Sequence, residues 1–202
     1  MNLSFSKLDN LSINIQSTKS GLGSIDFGNI QITNMGPHYF PLGDLSRFGI
    51  YHLSEESESF HFSENSISLL SKLIACDQNY GSGATWMQFK AEKRGEEFII
   101  NAKFENFKGE DPFAFVFFVK SEEVRHLDKK YKKGALQKFS GPSSFVDLIS
   151  AKKKVSITSE TKLNLEIIPL GGDEAFYKSD FLIAFHIQQP ENGVTFVIKN
   201  VG

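Results

Sequence analysis

Phe113-Ala114-Phe115-Val116-Phe117-Phe118-Val119 is an unbroken apolar run of seven residues. A strand with one face in water would carry a polar residue at every second position, so a run apolar at all positions marks a central strand covered on both sides. It is far shorter than the roughly 20 residues of a membrane-spanning helix.

Working outward, the segments on either side also read as strands. Trp86–Glu92 and Phe98–Phe104 flank Lys93-Arg94-Gly95-Glu96. Pairing Glu92 with Glu97 sets Ala91 against Phe98, Phe89 against Ile100 and Met87 against Ala102. A slip by one residue would mix charged and apolar side chains on each face, so the expected register keeps the apolar set together. Trp86, Gln88 and Lys90 then share the opposite, more polar face with Asn101 and Lys103. Upstream, Leu11, Ile13 and Ile15 alternate with polar residues, and Ile25, Phe27, Ile30 and Ile32 do the same around a bulge expected at Gly28-Asn29. Phe48–Leu53 and Phe60–Phe62 flank an acidic loop. Downstream, Val155–Ile157, Leu163–Ile168, Phe181–Ile187 and Val194–Ile198 continue the series, and Gln189-Pro190-Glu191-Asn192-Gly193 reads as the turn of a final hairpin.

One helix is expected after the central strand. Ser121 suits its N-cap, and Glu122 and Glu123 suit its positive end. Lys129, Lys130, Lys132 and Lys133 suit its negative end, with Gly134 at C′. Ser66–Cys76 and Ser143–Ile149 read as further short helices. No linker and no internal repeat divides the chain. The expected fold is a mainly β, antiparallel β-sandwich with one or two short helices in a single domain spanning 1–202. Jelly-roll topology is one arrangement within that class.

Composition narrows the function. Of 202 residues, 24 are Asp or Glu and 22 are Lys or Arg, a net charge of −2 that argues against a general nucleic-acid or membrane-surface binder. The single Cys excludes an intrachain disulfide and a Cys-rich zinc module. With 20 Phe against 5 Tyr and 1 Trp, most aromatic rings lack a polar handle and read as core filler. No apolar leader precedes the first strand, so a soluble, cytoplasmic protein is the default expectation, with signal-less export also open.

Catalytic motifs are missing: there is no P-loop, dinucleotide fingerprint, H-E-x-x-H or G-x-S-x-G. Gly81-Ser82-Gly83 leads into a strand and not into a helix N-terminus, which leaves it a loop. Cys76 could serve a nucleophilic role but fits the apolar face of Leu70, Leu73 and Ile74 better. Two constellations remain. Folding 52–61 as a hairpin places His52 opposite His61, and with Glu58 from the acidic loop they could hold a divalent metal. The bland alternative is two solvent-facing His beside a solvated turn. The second constellation is Trp86 with Gln88, Asn101 and Tyr80, a flat aromatic bordered by amides, which suits a ligand platform unless Trp86 is core.

Charge is also segregated. Lys120–Lys154 holds ten basic and four acidic residues, +6, leaving −8 for the remainder. A solvated face explains most of it, and only Tyr131 and Phe139 interleave, which weakens any nucleic-acid reading. The leading expectation is a non-catalytic module that binds a glycan or protein partner, with no cofactor beyond a metal at His52 and His61. An enzyme built on scattered groups such as His52, His61, Asp173 and Glu174, and a structural subunit of a larger assembly, are the alternatives, with a homo-oligomer also open.

Overall fold

A computed structural model describes residues 6–13, 22–75, 85–106, 113–171 and 178–202. Cys76, Tyr80, Gly81–Gly83, Asp173 and Glu174 lie outside the described residues, as do the side chains of His52 and Glu58.

The strands are β1 (Ser6–Leu8), β2 (Leu11–Ile13), β3 (Gly23–Asp26), β4 (Gln31–Tyr39), β5 (Gly49–Phe62), β6 (Ser66–Ala75), β7 (Trp86–Arg94) and β8 (Glu97–Glu105). They continue with β9 (Phe113–Lys120), β10 (Glu123–His126), β11 (Lys129–Lys132), β12 (Phe139–Ser150), β13 (Lys153–Pro169), β14 (Phe181–His186) and β15 (Val194–Asn200). All described pairings are antiparallel. The strands form one curled, half-barrel sheet and not two separately paired sheets. The main path runs in order from β1 to β8 and then through β15, β13, β12, β10 and β11, while β14 and β9 bridge β13 back to β4.

The long strand β13 organises this arrangement. Along one edge it pairs β15 through residues 155–159 and then β14 through residues 164–169, so the sheet forks there. On its other edge, Thr158 pairs with Phe145 and Leu163 with Ser143, five steps on β13 against two on β12. The three extra residues bulge outward at 159–162, held by the Ser159 hydroxyl donating to the Thr161 carbonyl at 2.7 Å. Because β14 and β15 pair with different stretches of β13, the expected hairpin between them does not form. Pro190–Asn192 is a 3-10 turn that crosses from one branch of the fork to the other.

The central strand behaves as its composition requires. Phe113 to Val119 are all buried, with β14 on one side and β4 on the other. Phe115 and Phe117 face the main core. Ala114, Val116 and Phe118 face a second cluster with Leu182 and Ala184, roofed by Phe40, Leu45 and Phe48 from the β4–β5 connection. Phe98, Ile100, Phe104, Leu165, Phe181, Ile183 and Phe185 are buried as well.

Several expectations are corrected. No α-helix occurs among the described residues. The charged segment after Ser121 is the β10–β11 hairpin, closed by a two-residue turn at Leu127-Asp128, because Val124, His126 and Tyr131 each gain a buried position by pairing against β12 or packing inward. Ser66–Ala75 is β6 and Ser143–Ile149 belongs to β12, where long-range pairing outweighs local helical spacing. Gly28, at φ 80°, sits in the β3–β4 turn and not in a bulge. In the β7–β8 hairpin the faces are as expected but the register differs by two. Arg94 pairs with Glu97, leaving Gly95-Glu96 as a two-residue turn, and Phe89 faces Ala102. A left-handed Gly95 at φ 60° permits this tighter turn.

Candidate functional site

Residues 54–59 do not turn. They run inside β5, where His52 pairs with Ile74 and His61 with Ser68. The two His positions lie on one strand, and their partners on β6 are six residues apart, roughly 20 Å, so the hairpin that would set them face to face does not form. The reason is β6, which pairs with β5 on both sides of this segment, at Tyr51 to Leu53 and at Ser59 to Phe62, so the chain runs on through two register shifts and does not reverse. Among the described residues no group of three His, Cys, Asp or Glu is placed to hold a metal ion.

The other candidate residues fall on a usable surface. Gln88, Lys90, Asn101 and Lys103 alternate with buried Met87, Phe89, Ile100 and Ala102, and so form the outer face of β7 and β8. The β13 bulge at 159–162 and the 187–193 connection rise beside this face. They enclose a groove of about 930 Å³. Its floor includes Ser68, Gln88, Asn101, Lys103 and Thr195, and its wall includes Glu160, Lys162, Asn164, Gln188 and Asn192. The floor amides are already oriented. Gln88 Nε2 donates to Glu105 at 2.6 Å, and Asn101 Oδ1 accepts from the Thr195 hydroxyl at 2.9 Å. Trp86 shares the face, half-buried and paired across to Glu105 and Lys72, but does not line the groove.

The structure adds a pair that sequence reasoning missed. His186, buried in the wall of the groove, bonds through Nε2 to Glu166 Oε2 at 2.8 Å. The other oxygen of Glu166 accepts the Gly43 N–H at 3.0 Å, so a buried carboxylate ties the imidazole to the roof of the second cluster. The His186 ring packs on Phe40 at 5.2 Å. Cross-strand pairing sets His38, Ala114, His186 and Asn164 in one row on one face. The His38 Nδ1–H donates to the Gly36 carbonyl at 2.9 Å, and its ring stacks on Phe48 at 4.8 Å. One signal could have found His186: it is the one polar residue of Phe181-Leu182-Ile183-Ala184-Phe185-His186-Ile187. A polar group inside a strand buried on both faces needs a partner.

With this geometry in place, comparison with known proteins adds little to the chemistry. No protein-family model matches the chain, and no curated protein sequence does. Among solved structures it is similar to the Slr1438 protein of Synechocystis sp. PCC 6803, at 9% identity and a TM-score of 0.41, over 83% of this chain and 78% of that one. Among the described residues no helix is long and apolar enough to cross a membrane.

Proposed function

We propose that this chain is a recognition module that takes a polyhydroxylated, glycan-type ligand in the groove at the β13 fork. The observation that carries this reading is the convergence of six carboxamides, Gln88, Asn101, Asn164, Gln188, Gln189 and Asn192, on one concavity of about 930 Å³. Each amide offers both donors and an acceptor, the combination that a sugar hydroxyl can satisfy in either sense. The volume is that of a small-ligand site, whereas a globular protein partner needs a broader, flatter surface.

The test is saturation-transfer NMR with soluble neutral oligosaccharides, followed by calorimetric titration of any that respond. Gln88→Ala with Asn101→Ala should weaken binding by about tenfold or more through the lost hydrogen bonds. Binding that persists unchanged in the double variant refutes the assignment.

The Glu166–His186 pair favours a second reading, acid–base catalysis in the same groove, since a carboxylate-oriented imidazole is a common proton-transfer device. It ranks second because no hydroxyl or thiol bonds to His186 among the described residues. Turnover of a bound oligosaccharide that disappears in His186→Gln would promote it.

A further inference from the structure

The β10–β11 hairpin forms the far edge of the sheet, and its surface is unusual in two ways. First, two leucines project from it into solvent. Leu127, 69% exposed, occupies the hairpin turn at φ 53°, a conformation that Gly, Asn or Asp adopts at less cost. Leu136 is 97% exposed on the loop that follows β11. That loop is pinned, the Gly134 N–H donating to the Leu170 carbonyl at 3.0 Å and the Ala135 N–H to the Lys132 carbonyl at 3.1 Å, so Leu136 is held outward. Neither leucine contributes to the core, and Leu127 sits where folding alone favours another residue.

Second, the edge between them is cationic. Arg125 engages Glu123 and Lys133 engages Asp180, whereas Lys129, Lys130, Lys132 and Lys138 have no ion-pair partner among the described residues. Buried Val124 and Tyr131 fix the hairpin to the body of the protein, and His126 packs between Phe139 and Phe145 at 4.4 and 5.1 Å. The charge is therefore displayed on a rigid support. The near-neutral total conceals it, because the +6 of Lys120–Lys154 is offset by −8 elsewhere.

We propose that this edge docks on an anionic lipid surface, with Leu127 and Leu136 entering the interface and the lysines between them meeting the headgroups. Protein–protein interfaces have the reverse layout, a contiguous apolar centre from which lysine is depleted. Here single leucines stand at the two ends of β11, separated by about 13 Å of strand, within a field of lysines. Headgroups accommodate isolated apolar side chains, and lysine stems lie along the interface while their ammonium groups reach the phosphates. A further strand is disfavoured at this edge by the same lysines.

The test uses the full chain in co-sedimentation with vesicles of mixed phosphatidylserine and phosphatidylcholine, and with vesicles of phosphatidylcholine alone. Binding is expected to the anionic vesicles only, and to weaken with added salt. Replacing Lys129, Lys130 and Lys132 together by Gln should reduce it about a hundredfold, and Leu136→Ser about tenfold. Leu127→Gly is the discriminating variant: it should raise the melting temperature by relieving the turn while lowering vesicle affinity. The proposal is overturned if anionic vesicles do not retain the protein, if neutral vesicles retain it equally, or if these variants bind like the wild type. Retention on polyglutamate but not on vesicles would also overturn it, and would assign the edge to an acidic protein.

Discussion

Phe196 is where the two branches of the fork meet in the core. Its ring, on β15, lies 5.0 Å from Phe115 and 5.1 Å from Phe117 on β9, and 5.1 Å from Phe185 on β14. It is fully buried. Replacing a buried Phe by Ala costs about 3–5 kcal/mol, and each aromatic pair adds about 0.5–1.5 kcal/mol beyond area. With three ring partners, Phe196→Ala should fall at the upper end, about 4–5 kcal/mol, a large share of the roughly 5–15 kcal/mol that keeps a domain folded. Phe196→Leu keeps much of the volume and should cost about 1–2 kcal/mol. At a slope of roughly 1.5–3 kcal/mol/M, the alanine variant should unfold at a urea midpoint about 1.5–3 M lower. Adding Phe117→Ala should cost less than the sum of the single changes, because both enlarge one cavity. A midpoint shift under about 0.5 M with unchanged slope would show that the branches do not share this core.

Two further predictions follow from buried polar groups. Burial among Phe139 and Phe145 lowers the His126 pKa from 6.5, against the weaker opposing pull of its bond to the Phe145 carbonyl. Below pH 6.5 the unfolded chain therefore binds the extra proton first, so stability should fall as the pH drops from 6.5 through the lower folded pKa; urea midpoints measured at neutral and acid pH should diverge less in His126→Gln than in the wild type. Glu166→Ala should cost about 2–4 kcal/mol by leaving His186 and the Gly43 N–H without their acceptor, and should speed hydrogen exchange at Gly43, whereas Glu166→Gln retains an acceptor and should cost less.

Period-two patterning made the body of the fold legible. The apolar run at 113–119, the faces of β7 and β8, and the buried positions of β13 to β15 all follow from it. Patterning fails where two periods fit the same residues. Leu69, Leu70 and Leu73 suit a helix stripe or a strand, and only the partner strands β5 and β7 decide. Val124, Leu127 and Tyr131 share a helical stripe, yet in the hairpin Leu127 is the exposed member at the turn. Turn length is equally local: moving the β7–β8 turn from four residues to two shifts the register without changing either face. At the site, Gln88 and Asn101 were readable as neighbours because a short hairpin joins them. Asn164 and His186 reach the same groove through the pairing of β13 with β14, a long-range contact that no periodicity encodes.

The closure of the sheet also dictates a timetable. Tyr39 on β4 must wait for Phe113, and Ala102 on β8 must wait for Val194. At about 5–20 residues per second of synthesis, β8 is left without its neighbour for about 5–20 s after it is made. A somewhat shorter delay, about 3–14 s, applies to the Phe-rich β9, whose partner β14 is also encoded late. During that interval an apolar strand with one open edge is a template for association between nascent chains. Yield during expression should therefore depend on how crowded the ribosomes are and on how soon a chaperone arrives, even for variants whose finished fold is fully stable.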